Sequence, residues 1–311
     1  MKALVLGGLL AAVLIAADSP LVPLTGKPPY PPENAPNKAK VELGQKLFFE
    51  NRLSGPRNRS CGTCHRPELS FSDGLSRAWG LKDVELRRRT PILYNVGWQL
   101  RLFHDGRAGS LEEQAAFPLR AELEMDLELE DAVARLRDDP EYRTLFQEAF
   151  PGRPVSWDLV AQALASYQRT LVSYDSDLDR YLLGNPSALG EPARRGMVLF
   201  TGSGGCIRCH NGPLLTDQKM YYIGVREMMG DSPQGSKYKT PSLRDVAVRG
   251  SYMHNGQFRS LDEVLAFYQG AGVAEGPVKD VSTMDFTPQQ KLDLMAFLRA
   301  LTGRTLSVDF P

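Results

Sequence analysis

Cys61-Gly-Thr-Cys64-His65 and Cys206-Ile-Arg-Cys209-His210 hold all four cysteines of the 311-residue chain and two of its four histidines. Random placement of so few residues would rarely build that pentapeptide once, and here it occurs twice. Three chemistries use such a pattern. Four thiolates can close around one zinc ion. Each Cys-x-x-Cys can cycle through a disulfide. Alternatively, the paired thiols form thioethers with the vinyl groups of a haem, and the histidine that follows ligates its iron. Only the last needs His directly after the second Cys in both copies. The sequence therefore points to two covalently attached haem c groups, with His65 and His210 as proximal ligands.

The flanking segments repeat too. Gly44-Gln-Lys-Leu47-Phe48 precedes the first site and Gly196-Met-Val-Leu199-Phe200 the second. Each has helically spaced apolar residues and runs into a Gly- or Ser-bearing turn before the cysteine. This predicts an internal duplication of long period. Ser156 is followed by Trp157, Val160, Ala163, Leu164, Tyr167, Leu171 and Val172, which predicts a long amphipathic helix. Thr287-Pro288-Gln289-Gln290 has capping-box spacing with Pro at the first helical position. The helix it opens carries Leu294, Phe297, Leu298 and Leu301 and stops at Gly303. No run of alternating strands is visible. The expected fold is mostly α, as two cytochrome c-like haem domains over 37–185 and 186–311, divided in the Gly- and Pro-bearing stretch 183–193.

Composition agrees with two ordinary cores: 42% of residues are hydrophobic and 24% charged. Lys and Arg number 37, matching 37 Asp and Glu, so the formal net charge is zero. That excludes nucleic acid as the main partner, which would need a basic excess. Met1-Lys2 followed by the apolar run Ala3 to Ala17 reads as a secretory signal over 1–17. The run is too short for the roughly 20 residues of a spanning helix. The protein is thus expected to be exported and soluble, in a periplasm or its equivalent. Between Ser19 and Asn37 lie seven prolines, so 18–36 reads as an extended arm and not a packed element.

An electron carrier fills both axial positions of each iron, whereas an enzyme acting on peroxide keeps one open. After His65 and His210 only His104 and His254 remain. A lone histidine is most often a hydrogen-bonded structural residue, so neither is by itself a ligand.

Leu102-Phe103-His104-Asp105-Gly106-Arg107-Ala108, followed by Leu111-Glu112-Glu113-Gln114, resembles the Phe-Trp-Asp-Gly-Arg-Ala…Leu-Glu-x-Gln signature of bacterial di-haem cytochrome c peroxidases and the related MauG-type enzymes. Further matches follow in order: Phe71-Ser-Asp73-Gly74, Arg89-Thr-Pro91…Asn95, Pro118…Glu124-Met125, Thr240-Pro241-Ser-Leu243-Arg244, Tyr252-Met-His254-Asn-Gly256 and Ser260-Leu261-Asp-Glu263. The resemblance spans roughly residues 36–303. It implies a peroxidatic haem on His65 and an electron-transferring haem on His210. It places Gln114 and Glu124 in the distal pocket of the first haem, shaped by Pro118. A carboxylate beside the iron can take a proton from one oxygen of H2O2 and return it to the other. Electrons would come from a small cytochrome c or a cupredoxin. In the MauG-type alternative a partner protein is the substrate, and a non-enzymatic electron carrier is the third reading. A homodimer is compatible with all three.

This chain departs from the family in four places. The loop Leu75-Ser-Arg-Ala-Trp79-Gly80-Leu81 has no distal His, so the first haem is expected to be open at rest. The helix after the Tyr-x-His motif ends at Tyr268 where a Met is usual, which makes Tyr268 the expected second ligand of the His210 haem, with Met284 as runner-up. His104 stands where the family has a Trp between the haems. Arg89 stands at the Asn of the family's calcium site, whose carbonyls would come from Arg249 and Ser251. A guanidinium is no calcium ligand, and its charge can stand in for the ion. His254 is expected to support the second haem by hydrogen bonding. Arg107 and Arg244 are expected at haem propionates, because planar donors suit carboxylates.

Overall fold

The computed structural model describes residues 21–227, 233, 235–270, 280–281 and 283–305. The signal segment 1–17 lies outside them. The helices of the first part are α1 (Lys38–Phe48), α2 (Cys61–Cys64), α3 (Leu111–Gln114), α4 (Ala116–Arg120), α5 (Leu129–Arg137), α6 (Pro140–Ala149) and α7 (Trp157–Arg169). Those of the second are α8 (Asp177–Leu182), α9 (Glu191–Thr201), α10 (Leu261–Tyr268) and α11 (Pro288–Arg299). Strand is confined to two antiparallel two-residue pairs among the described residues. Ser173–Tyr174 pairs with Arg304–Thr305, and Met220–Tyr221 with Tyr238–Lys239. None of the described helices is long and apolar enough to cross a membrane. The mostly helical expectation holds.

The helix signals read from sequence act locally as expected, but both helices end early. Gln290 N donates to Thr287 Oγ1 at 3.2 Å while Thr287 N donates to Gln290 Oε1 at 2.9 Å, closing the capping box of α11. That helix stops at Arg299, short of Leu301. Helix α7 stops at Arg169, and Leu171 and Val172 turn away from it into the strand at Ser173. Asn95 drives that turn by gripping both sides of Ser173: its side chain donates to Ser173 O at 2.7 Å and accepts from Ser173 N at 2.9 Å.

Two hydrophobic cores form. In the first, α1 packs on α7 through Leu43, Leu47, Phe48, Leu159, Ala163 and Leu164. In the second, α9 packs on α11 through Phe200, Leu294, Phe297 and Leu298. The repeated glycine explains how close each pair comes. A Cβ on Gly44 would lie 1.9 Å from Ala163 O, and one on Gly196 would lie 2.0 Å from Asp293 O.

The proline-bearing arm is extended, but it is packed, which corrects the expectation. Leu21 and Leu24 are buried, Leu21 within the second core. Leu24 N donates to Asp179 Oδ1 at 2.9 Å. Farther along, Pro29 O accepts from Arg169 Nε at 3.1 Å, and Asn34 Nδ2 donates to Glu112 Oε1 at 2.8 Å. The arm therefore touches both cores. Proline fixes the backbone in an extended course without a helix or sheet, and its leucines supply the apolar contact.

Gly196→Ala is expected to destabilise the holoprotein by about 1–3 kcal/mol, the usual cost of overpacking a closed contact. Gly190→Ala, whose Cβ would meet only Pro192 Cδ at 4.0 Å, is expected to cost a few tenths of a kcal/mol as a helix N-cap change. Denaturant unfolding of the two variants side by side checks the contrast.

Candidate haem-binding site

Each candidate proximal histidine has a backbone carbonyl at Nδ1, and a second backbone group, Pro91 or Pro241, also acts on the ring. His65 Nδ1 lies 2.8 Å from Phe71 O and His210 Nδ1 lies 3.1 Å from Leu215 O. A carbonyl only accepts, so Nδ1 carries the proton and the lone pair stays on Nε2. Phe71 and Leu215 are both in the left-handed region, at φ 55° and 54°. A hydroxyl clips the next residue down in each case. Ser72 Oγ donates to Thr90 O at 2.9 Å, and Thr216 Oγ1 to Thr240 O at 2.6 Å. Burial lowers the pKa of both imidazoles, that of His210 to about 4. Both rings are therefore neutral at pH 7, the form that binds a metal.

The cysteines separate the three readings of the pentapeptides. The first pair packs on the first core and the second pair on the second, so the four thiols do not meet around one ion. All four are free thiols. Burial pushes Cys61 up to about 12, Cys64 and Cys206 up to about 11, and raises Cys209. Redox-active pairs need the opposite shift. Thiols and histidines nevertheless keep part of their surface accessible. Free thiols beside a neutral imidazole fit haem c, twice.

Glu124 lies in the tight turn that follows α4. Its N–H donates to Ala121 O at 2.8 Å, and Met125 N donates to Pro118 O at 3.2 Å. Met125 is buried and its carbonyl accepts from Gly55 N at 2.7 Å, which ties the turn to the segment leading into Cys61. The Glu124 carboxyl is close enough to Cys61 and Cys64 for their charges to interact. Glu124 is exposed at the surface, with protein atoms gathered around its carboxyl. Desolvation raises its pKa, and Arg107 opposes the rise. Gln114 ends α3 and Pro118 lies within α4, so both sit on the two short helices that lead into this turn. The loop after the first pentapeptide abuts the same turn: Leu81 N donates to Leu123 O at 2.7 Å. Arg59 holds that loop by donating to Trp79 O at 2.7 Å and Gly80 O at 2.6 Å.

In the second half, Tyr268 is the last residue of α10, and its half-buried phenol feels the charges of Cys206 and Cys209. Burial raises its pKa. Met284 N donates to Tyr268 O at 2.8 Å, so the runner-up ligand is its neighbour.

Both arginines expected at propionates have protein partners. Arg244 is 2% exposed and forms a fork with Asp179, at 2.8 Å to each oxygen, while its Nε donates to Pro213 O at 2.6 Å. The aliphatic stem and guanidinium of Arg107 lie on the first half's surface. Its Nη1 donates to both Asp105 oxygens at 2.8 Å, and the guanidinium lies 3.5 Å from the Phe103 ring centre.

Where the halves meet, Lys239 N donates to His104 O at 2.8 Å and Arg89 Nε donates to Met253 O at 2.8 Å. Burial and the charges of Arg88, Arg89 and Arg77 take His254 down to about 3, so it is neutral. Its Nε2 meets Glu227 Oε2 at 3.0 Å and its ring stacks on Tyr238 with centres 3.7 Å apart. The expected hydrogen-bonding role thus goes to Glu227. Sequence reading missed Glu227, and it treated Arg249 only as a carbonyl donor. The run Arg87-Arg88-Arg89 was the available signal, because three adjacent cations in a segment that must lie between two cores need explaining. For calcium the donor set does not fit: Arg89 projects a cation into this junction, and among the described residues no cluster of three His, Cys, Asp or Glu could hold a metal ion.

Residues 38–187 match the family model described as di-haem cytochrome c peroxidase. Over 295 residues the chain is 40% identical to the methylamine utilization protein MauG of Methylorubrum extorquens, covering 91% of this chain and 84% of that protein. It is 33% identical over 288 residues to the cytochrome c551 peroxidase of Pseudomonas aeruginosa, covering 87% and 80%. Among solved structures, a MauG-like protein associated with microbial copper homeostasis superposes with a TM-score of 0.79 at 30% identity, covering 90% of this chain and 93% of that one. The paired Cys-x-x-Cys-His sequences, the neutral histidine that closes each and these similarities converge: the chain belongs to the family of di-haem cytochrome c peroxidases and MauG, haem oxidoreductases that act on peroxide.

Proposed function

We propose that this protein reduces H2O2 to water at a haem held by Cys61, Cys64 and His65, with electrons relayed through a second haem on Cys206, Cys209 and His210. The donor is a small cytochrome c or a cupredoxin. The observation that carries the reading is the Glu124 carboxyl beside the first cysteine pair, with its pKa raised by burial. The haem supplies an iron with an open axial position and the electrons that break the O–O bond. His65 presents a neutral Nε2 to that iron, oriented by Phe71 O. Glu124, as carboxylate, takes the proton from one peroxide oxygen and hands it to the other, which leaves as water. Gln114 orients the bound peroxide, and Pro118 shapes the approach. Since the loop 75–81 offers no histidine, the first site stays open without reductive activation. Tyr268 would hold the His210 haem as its second protein ligand. The matched turns around the two histidines are read as an internal duplication, and 1–17 as a signal for export to the periplasm.

One observation favours a second reading. Tyr268 beside Cys206 and Cys209 would place an anionic oxygen on the second iron, which lowers its potential and stabilises oxidised states. An enzyme of that kind uses peroxide to oxidise residues of a partner protein, as the resemblance to MauG suggests. Sustained turnover with a reduced small cytochrome supports the first reading. Oxidation of a partner protein with negligible cytochrome turnover supports the second.

Glu124→Gln is expected to slow the reaction with peroxide by about 10²–10⁴-fold, the usual contribution of a placed acid–base group, with the resting optical spectrum unchanged in stopped flow. The sign of the pH dependence follows from the raised pKa of Glu124. The reactive carboxylate fills as pH rises, through a midpoint above the ordinary carboxylate value. Removing the opposing cation in Arg107→Met raises that pKa further, so the pH–rate profile moves to the alkaline side. An unmoved profile would mean that Glu124 is not the base.

The oxidised holoprotein is expected to show one high-spin and one low-spin haem by EPR, the low-spin signal shifting in Tyr268→Phe. Two low-spin haems unresponsive to one equivalent of H2O2 would overturn the open-site reading.

A further inference from the structure

The junction between the halves is tight and cationic. A Cβ on Gly250 would come 2.3 Å from Gly74 O, and one on Gly256 would come 1.7 Å from Ser76 O, so the two backbones touch. Arg89 is 7% exposed in this junction. Arg249 lies close enough to depress its pKa, and Arg89 in turn acts on His104. Arg249 also acts on His210, and Asp73 acts on both Arg89 and His65, so the cluster reaches towards both attachment sites.

Most carboxylate oxygens near the cluster are committed elsewhere; Asp245 Oδ2, which acts on Arg249, is buried without a hydrogen-bond partner. Asp73 Oδ2 accepts from Thr90 Oγ1 at 2.7 Å. Asp245 Oδ1 accepts from Ser173 Oγ at 2.9 Å and Gly303 N at 3.1 Å. Glu227 faces His254, and Glu85 faces Arg77 at 3.7 Å. Among the described residues no carboxylate lies within ion-pair distance of Arg89 or Arg249. Three side-chain atoms of the cluster are buried without a hydrogen-bond partner: the donor Arg249 Nε, and Asp245 Oδ2 and His104 Nε2.

An unmade hydrogen bond at a buried donor costs about 1–3 kcal/mol, and more at a charged one. Buried arginine charge without a counter-ion is costlier still. Even with its pKa lowered to about 9 by burial, Arg89 keeps its charge at neutral pH. Such a cluster is half of an ion pair, and its partner has to be an anion that reaches a closed seam between two haem sites. The ionised groups of a haem are its propionates, planar carboxylates that match a guanidinium fork.

We propose that Arg89 and Arg249 receive haem propionates across this junction, so that cofactor carboxylates complete the charge balance between the halves. This rests on the di-haem reading above. It assigns the propionate contacts to residues that come from both halves, in place of Arg107 and Arg244.

The test uses the holoprotein with Arg89→Met, Arg249→Met and the charge-keeping Arg89→Lys. Intact mass first reports whether two haems are attached. Resonance Raman then reads the propionate-bending bands, and a reductive titration reads the midpoint potentials. A cation near a propionate disfavours ferric iron, so both Met variants are expected to lower a midpoint potential and shift a propionate band. Arg89→Lys is expected to hold the wild-type potential but still shift the band, because an ammonium cannot make the planar pair. Since the Lys variant keeps the charge, its band remains informative where Arg89→Met does not fold. Two attached haems with wild-type potentials and unmoved bands in the variants overturn this proposal alone. A chain whose mass shows no haem overturns the parent reading with it.

Discussion

One hydrogen bond per half fixes the chemistry that the rest of the molecule serves. Nδ1–H of His65 points at Phe71 O and that of His210 at Leu215 O, and each bond decides which nitrogen keeps its lone pair. A carbonyl can occupy that place only if the chain turns back within six residues of the histidine. The left-handed residues Phe71 and Leu215 make that reversal, and Ser72 and Thr216 clip it to a later segment. Loop, clip and ring therefore form one unit. The helix pairs beneath hold the cysteines at the right height, and two glycines set how closely each pair can approach.

Charge is handled in two ways in the same molecule. Asp179 and Arg244 neutralise each other inside the second half, and Asp179 also accepts from Ser176 Oγ at 2.7 Å and caps α8. Breaking such a pair strands a buried charge, which makes it a rigid joint. The junction between the halves lacks that internal balance. Arg89 and Arg249 lie there without a protein carboxylate.

Much of this was legible in the sequence because it depends on local spacing. Cys-x-x-Cys-His names its own chemistry, the Thr287 capping box closes as spaced, and Gly-x-x-Leu-Phe marks the two packed helix pairs. The placement of Glu124 near the first cysteines followed from family register, not from periodicity, since its acidic surroundings read as a solvated surface. What spacing could not show were long-range partners. Nothing near Arg244 in the chain announces Asp179, 65 residues away. Glu227 and His254 meet although they are 27 positions apart. The arm looked unpacked because proline content reports backbone stiffness and says nothing of where an isolated Leu21 or Leu24 is received.

That arm also imposes an order on assembly. Leu24 emerges early in synthesis, but its acceptor Asp179 follows 155 residues later. Closing so long a loop is entropically late. The first core can therefore gather around α1 and α7 while the leading segment is still an unanchored strand. Only when α8 and the second core exist does that segment find its seat.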